Sequence, residues 1–328
     1  MRKYILLGIT AFVIAIYLTN ASWLAQQRPG NPTLISHRGV YHTYNRENLG
    51  RDDCTAIRMY QPEHEYLENT LASMRAAFDA GADIVELDVH STTDGEFAVF
   101  HDWTLDCRTE GSGITRDHAM DYLKTLDIGY GYTADNGKTF PFRGKGIGLM
   151  PTLEEVYREF PDKNFLINIK GGNEKEAVKL DRYLRERKLL NNGPLMAYGN
   201  ERTRIALRKL HPDAWLFSRD SVKQCTYRYL MLGWSGYVPE ACRNGAVIAP
   251  NTWHWALWGW PNRFLQRMED AGSLVMVLDF KHRSPGGIHG IYTPEQIDFL
   301  PDDYRGALWV EKIEVVGPYA KTKFGEEI

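Results

Sequence analysis

Short apolar runs rich in β-branched residues alternate with stretches of helical spacing from residue 33 onward. Residues 33–36 form the first such run. Residues 69–80 follow, with Leu71, Met74, Ala77 and Phe78 on one side of a helix and Gly81 as its stop. Residues 84–89 and 97–100 read as strands. Thr152 opens a helix as an N-cap, and Glu155 three places on completes a capping box. Leu153, Val156, Tyr157 and Phe160 give that helix its apolar side. Residues 165–169 are a further strand and residues 174–190 a charged amphipathic helix. Residues 195–197, 215–217, 246–249, 274–278 and 307–313 complete the strands, most of them separated by helical stretches. Such alternation implies parallel strands joined by right-handed crossovers. About eight units predict a closed (β/α)8 (TIM) barrel spanning residues 30–320 as one domain. A doubly wound open sheet is the alternative. Residues 40–67, polar and aromatic, and residues 103–150, Gly-rich and mixed, break the alternation. Both follow strands, so in a barrel both lie on or beside the active face.

The first 25 residues read differently. Arg2 and Lys3 precede an apolar run at residues 4–18, and Thr19-Asn20-Ala21-Ser22 follows with small residues. This is a secretory signal pattern. Trp23, Leu24 and Ala25 extend the run towards the ~20 residues of a spanning helix. A buried N-terminal core helix is the remaining reading. The first two predict an exported, periplasmic or otherwise extracytoplasmic protein, with residues 1–25 removed as a signal or kept as a membrane anchor, because Arg2 and Lys3 favour an inside N-terminus. In an oxidising compartment Cys54, Cys107, Cys225 and Cys242 allow up to two disulfides in three full pairings, Cys225 with Cys242 closing the shortest loop. Buried free thiols are the alternative, and the absence of C-x-x-C spacing argues against a zinc or redox site. A formal net charge of −3 over 328 residues argues against a nucleic-acid binder.

Several polar residues stand where strands end. Glu86 and Asp88 flank Leu87 on a strand that is otherwise apolar, so both carboxylates point to one side. Unpaired, they repel each other and resist burial; a divalent cation such as Mg²⁺ or Ca²⁺ relieves both costs. Solvated acids at a strand end are the plainer reading. His37 follows the first strand and His101 follows residues 97–100, each where barrel enzymes place catalytic groups. One histidine can take a proton from a nucleophile and the other can protonate a leaving oxygen. Arg38 and Lys170 can add positive charge around a phosphate. The set fits hydrolysis of an anionic phosphodiester. No G-x-S-x-G elbow, P-loop or G-x-G-x-x-G after the first strand points elsewhere.

The order of these pieces resembles a known family. His37-Arg38-Gly39, Glu68-Asn69-Thr70, Gly81-Ala82-Asp83 running into Glu86-Leu87-Asp88-Val89, Asp94-Gly95, and His101-Asp102 with Leu105 are similar to the ordered motifs of glycerophosphodiester phosphodiesterases. Arg108-Thr109, Gly111-Ser112-Gly113 and Pro151-Thr152-Leu153-Glu154-Glu155 continue the match. The resemblance covers mainly residues 33–170. It implies a barrel in which Glu86 and Asp88 hold a divalent metal, His37 and His101 act as general acid and base, Arg38 contacts the phosphate, and Glu68 and Asn69 line the site. It also implies that the glycerol hydroxyl attacks first, giving a cyclic intermediate and then glycerol phosphate and a free alcohol. Two departures stand out. Asn168 occupies the place of a third acidic metal ligand, which predicts weaker metal affinity or a shifted preference. Between Gly39 and Glu68 an insertion carries Tyr41, His42, Tyr44, Arg46, Arg51, Cys54, Arg58, Tyr60 and His64; it either selects the alcohol or is an inert Ω-loop. Trp253, His254, Trp255, Trp258 and Trp260 suit a lipid-binding rim, hinting at a lysolipid substrate, or a packed cap over the barrel mouth. The rival reading is a relative that binds phosphodiester head groups without turnover.

Overall fold

A computed structural model describes residues 1–26, 28, 30–50, 53–190, 194–284 and 287–325. Arg51, one of the insertion residues, lies outside them. The N-terminal helix α1 (Arg2–Asn20) is followed by β1 (Thr33–His37), α2 (Leu71–Asp79), β2 (Ile84–Ser91) and β3 (Phe97–Val99). Next come α3 (Met120–Leu123), α4 (Leu153–Glu159), β4 (Asn164–Ile169), α5 (Glu174–Glu186), β5 (Met196–Gly199) and α6 (Glu201–Leu210). β6 (Trp215–Ser218), α7 (Arg219–Leu232), β7 (Ala246–Pro250), α8 (Asn262–Asp270), β8 (Leu274–Ser284), β9 (Gly287–His289), β10 (Ala307–Val310) and α9 (Ile313–Phe324) complete the chain.

Eight strands run parallel in the order β6-β5-β4-β2-β1-β10-β8-β7. The two outer strands meet where the Leu216 N–H reaches the Asn244 carbonyl at 3.3 Å, so the sheet curls into a nearly closed barrel rather than an open doubly wound sheet. Phe217, Met276 and Leu278 are among the side chains that fill the barrel's interior. A larger core lies between strands and helices, with Val85, Leu87 and Val89 facing outward from β2. The helix starts follow local chemistry. Thr70 caps α2 with Ser73, Thr152 caps α4 with Glu155, and Ser218 caps α7 with Ser221, each as a reciprocal pair. Such a cap contributes about 1 kcal/mol.

Three elements differ from the sequence expectation. Residues 97–100 are not a barrel strand: β3 folds back antiparallel on β2, pairing Val99 with Val89, around a turn in which Gly95 has φ +86°. The last strand ends at Val310, and residues from Ile313 onward form α9, whose buried Ile313, Val316, Ala320 and Phe324 repeat at helical spacing. Residues 187–190 are not part of α5, which ends at Glu186. The two irregular regions pack on each other as a satellite core beside the mouth, joining Ala56, Met59 and Leu67 to Leu105, Leu123 and Phe142. A disulfide between Cys54 and Cys107 ties these regions together, and Cys225–Cys242 ties α7 to the approach to β7.

Helix α1 buries no residue, which excludes the core-helix reading, and by length and composition it suffices to cross a membrane. Its end rests on the barrel through the Asn20 side chain, which donates to the Trp234 carbonyl at 2.8 Å. The tryptophans divide: Trp253 borders the mouth, Trp260 packs near Phe264 and Tyr304, and Trp255 is 74% exposed.

Candidate active site

Register brings the predicted residues together. β1 pairs with β2 so that His37 stands beside Glu86, and β2 pairs with β4 so that Asp88 stands beside Asn168. The chain turns sharply after β1, with Arg38 at φ +58° and Gly39 at φ +79°. A Cβ at Gly39 would lie 2.8 Å from backbone carbon of Ser73, so only glycine fits against α2. Arg38 adopts a backbone conformation that a bulky residue rarely takes. That turn places its N–H on the Glu86 carbonyl and its carbonyl under the Asn69 N–H, both at 3.0 Å.

Asp88 is the electrostatic centre. Its Oδ1 accepts from Asn168 Nδ2 at 2.7 Å and lies 3.0 Å from Lys170 Nζ. Its Oδ2 accepts from Asn69 Nδ2 at 3.1 Å and lies 3.2 Å from Arg38 Nε. Burial alone would raise its carboxyl, but Lys170 and Arg38 outweigh that and hold it well below the usual range. Glu86 is the opposite case. Burial and the neighbouring Asp88 push its carboxyl up to about 7, against His37 and Arg38. Tyr198 donates to Glu86 Oε1 at 2.6 Å, while Oε2 is buried with no hydrogen-bond partner, 3.9 Å from His37 Nε2.

Each histidine is backed by a carboxylate. His101 Nδ1 lies 2.6 Å from Asp102 Oδ1, and Asp102 Oδ2 accepts from Arg108 Nε at 2.9 Å. His101 reaches the mouth from the returning hairpin β3, not from a barrel strand. Burial, with Arg38 and Lys170 nearby, lowers its imidazole well below the ordinary value. His37 Nδ1 lies 2.6 Å from Glu311 Oε2. Glu311 also accepts from the Tyr41 hydroxyl, from Arg46 at 3.3 Å and from the Gly290 N–H at 3.0 Å. Burial would raise the Glu311 carboxyl, but His37 and Arg46 hold it well below its usual range. Arg38 is clamped by Glu68 at 3.1 Å, and Glu68 in turn meets Arg108 at 3.2 Å.

All nine residues expected at the site therefore sit together on the β1, β2 and β4 side. Only His37, Arg38 and His101 border the cavity of about 680 Å³; Glu68, Asn69, Glu86 and Asp88 form the buried layer behind them. Sequence reasoning missed Glu311 and Tyr198 and gave Asp102 and Arg108 no role. Glu311 had a signal: an acid just past the last barrel strand, two places after Trp309 and therefore on the same side. The insertion reaches the site: Tyr41 and Arg46 contact Glu311, and Tyr44 and Leu49 line the cavity.

A family model for the glycerophosphoryl diester phosphodiesterase family matches residues 37–278. The chain belongs to this family. It is 41% identical over 102 residues to the glycerophosphodiester phosphodiesterase of Caldanaerobacter subterraneus subsp. tengcongensis, covering 31% of this chain and 38% of that protein. It is 32% identical over 151 residues to human glycerophosphodiester phosphodiesterase 1, covering 45% and 44%. The matches thus span less than half of those relatives. Among solved structures, the glycerophosphoryl diester phosphodiesterase domain of a Mycobacterium tuberculosis protein superposes with TM-score 0.60 at 16% identity, covering 89% of this chain and 99% of that one. An Oleispira antarctica phosphodiesterase in complex with its product sn-glycerol-3-phosphate superposes with TM-score 0.56 at 17% identity, covering 88% and 96%. At such identities these two bear on the barrel alone.

Proposed function

We propose that this family member hydrolyses glycerophosphodiesters to glycerol phosphate and an alcohol. The observation that carries the reading is the pair of carboxylate-backed histidines, His37 on Glu311 and His101 on Asp102, opening on one cavity beside the Arg38 guanidinium. With Nδ1 of each ring on its carboxylate, Nε2 is left for proton transfer. His101, kept neutral by burial and by its cationic neighbours, suits the base that takes a proton from the attacking glycerol hydroxyl. His37 then gives a proton to the leaving alcohol oxygen as the phosphorus–oxygen bond breaks. Water opens the resulting cyclic ester with the two roles exchanged. Arg38 places positive charge where the phosphoryl oxygens gain negative charge, and Lys170, held on Asp88 behind the cavity wall, adds to that field from farther back.

A divalent cation, Mg²⁺ or Ca²⁺, belongs to the same proposal. The unpartnered Glu86 Oε2 fits a hard cation, with Asp88 and the Asn168 amide adjoining, and a cation there would neutralise phosphoryl charge. The donor set is poor: among the described residues no three His, Cys, Asp or Glu side chains form a metal cluster, and Asp88 is already neutralised by Lys170 and Arg38. Weak binding follows. Export supports the reading through the apolar α1 and the two disulfides, with membrane association through α1 if it is retained.

Turnover of glycerophosphodiester esters of methanol, ethanolamine and choline, with EDTA, Mg²⁺ or Ca²⁺, tests this. Release of glycerol phosphate is expected, with kcat falling roughly 10²–10⁴-fold in His37→Ala. Asn168→Asp is expected to lower the cation concentration for half-maximal activity. No turnover with any cation would leave a binding protein in place of an enzyme, and unchanged cation dependence in Asn168→Asp would remove Asn168 from the cation site.

A further inference from the structure

Helix α1 does not run into a free linker. Its last residue, Asn20, is held on the body of the protein twice. The side-chain nitrogen donates to the Trp234 carbonyl at 2.8 Å, and the side-chain oxygen accepts from Arg267 at 3.0 Å. Arg267, on α8, also donates to the Thr19 carbonyl at 2.8 Å, where a cation suits the negative end of a helix. The same guanidinium reaches the Tyr229 hydroxyl at 2.9 Å and the Gly233 carbonyl at 3.1 Å. One side chain thus gathers the ends of α1 and α7 onto α8. The residues that follow continue along α8 as a strap. The Ser22 hydroxyl accepts the Asn262 N–H at 2.9 Å, the Leu24 carbonyl accepts from Arg263 at 2.8 Å, and Arg28 pairs with Glu269 at 3.0 Å. Ala21 and Ala25 are buried within this strap. Cleavage at the small residues after Leu18 would remove contacts that the folded body makes.

The tie fixes depth as well as direction. Phe12 meets the Trp234 ring edge-on at 5.9 Å, eight residues before Asn20. Eight helical residues measure about 12 Å, so the body accompanies α1 over that distance. The whole helix of 19 residues is about 28 Å long, against a hydrocarbon core of about 30 Å. With α1 across a bilayer there is no slack, and the surface around Trp234 enters the head-group layer.

That surface has the composition such a place requires. Trp23, Tyr227, Met231 and Trp255 are 65–74% exposed, and Leu232 and Trp258 are exposed beside them. They lie on the strap, on α7 and in the loop before α8, the elements that Arg267 gathers. Trp258 is fixed to the end of α7, its indole N–H on the Leu230 carbonyl at 2.9 Å and its own carbonyl on the Tyr229 hydroxyl at 2.8 Å. Rings with an apolar body and a polar edge gain most at a membrane–water interface, and a cluster of them left in water is costly.

We infer that residues 1–20 stay on the mature protein as a bilayer-spanning anchor, and that the α7–α8 side of the barrel docks on the lipid surface around it in one orientation. The inference goes beyond the phosphodiesterase reading and does not depend on it. Tyr227 also lines the cavity, so docking sets the α7 rim of the mouth at the membrane surface. Strands β1 and β2 lie across the barrel from the β6–β7 seam and face away from the lipid.

All four cysteines are held in disulfides, so an added cysteine takes a fluorescent label alone. Full-length Met231→Cys, Trp255→Cys and Ala72→Cys proteins are labelled and reconstituted in phosphatidylcholine vesicles, with and without lipid carrying a spin-label quencher on its head group. Ala72 is exposed on α2, which joins β1 to β2 on the far side. All three positions are at the surface, so the fold is not at risk. Loss of fluorescence at 231 and 255, with none at 72, is expected. Quenching at 72 equal to that at 231 and 255, or quenching at none of them, overturns the docked face. Mass spectrometry of the N-terminal peptide in the membrane fraction tests the anchor. A peptide that begins before Thr19 is expected, and a mature chain that begins beyond Asn20 overturns it.

Discussion

Glu311→Gln is expected to lower kcat roughly 10²–10⁴-fold with the fold intact and KM little changed. Four donors converge on this carboxylate: His37 Nδ1 at 2.6 Å, the Tyr41 hydroxyl, Arg46 at 3.3 Å and the Gly290 N–H at 3.0 Å. A carboxylate can accept all four. A glutamine of the same shape accepts at one atom only and turns an N–H₂ towards the others. If the amide nitrogen faces His37, the ring must accept at Nδ1 and carry its proton on Nε2, the tautomer opposite to the one the site uses. If it faces Gly290, two donors oppose each other in a buried place, which costs about 1–3 kcal/mol. The negative charge that stabilises a protonated His37 is lost either way. A second reading comes from pH. The folded Glu311 carboxyl lies below its unfolded value of about 4.3. Its contribution to stability is therefore present above that value and is lost as pH falls below it. Glu311→Gln should flatten that acid limb of the stability curve, whereas Tyr41→Phe should leave it and cost much less activity. Steady-state kinetics and thermal unfolding between pH 3 and 8 measure both. A kcat within about threefold of wild type would show that His37 does not depend on this carboxylate.

That residue also marks where sequence legibility ended. The barrel could be read because β-branched runs and capped amphipathic helices are local signals, and Thr152 with Glu155 behaves as its spacing dictates. His37, Glu86 and Asp88 could be read because period two on a strand fixes which side a residue faces. The position of Glu311 past the last strand could be read in the same way, but its pairing with His37 and the role of Tyr198 could not, because they depend on register between strands far apart in sequence: Ser36 pairs with Val310, and Asn168 with Tyr198. His101 was found but misplaced, since residues 97–100 have the composition of a barrel strand and only pairing shows that they return along β2. The apolar side of the cavity was equally hidden. Phe217, Ile248, Leu278 and Trp309 each look like ordinary core positions, and only the cavity shows that they line it together.

Arg108→Met is expected to destabilise the protein by about 3–5 kcal/mol, lowering Tm by roughly 5–10 °C, and to reduce kcat even far below that Tm. Arg108 is 2% exposed. Its Nε donates to Asp102 at 2.9 Å, its other nitrogens meet Glu68 at 3.2 Å and Thr55 at 2.6 Å, and the Tyr132 hydroxyl completes the set. Removing the guanidinium leaves two carboxylates buried or nearly so without their shared cation, which is the expensive direction in which to break an ion pair. The same two carboxylates hold working groups, Asp102 the His101 ring and Glu68 the Arg38 guanidinium. One substitution therefore loosens a histidine and the phosphate-facing arginine together. Arg108→Lys separates charge from geometry: it restores a cation but not the fork that reaches Asp102, Glu68 and Thr55 at once. Recovery of most of the Tm with only part of kcat is the expected pattern. The neighbouring Cys54–Cys107 disulfide holds Thr55 and Arg108 at adjacent positions in sequence, so the bond and the Thr55–Arg108 contact act in parallel. A methionine variant with wild-type Tm and wild-type kcat would show that Asp102 and Glu68 keep His101 and Arg38 in place without this cation.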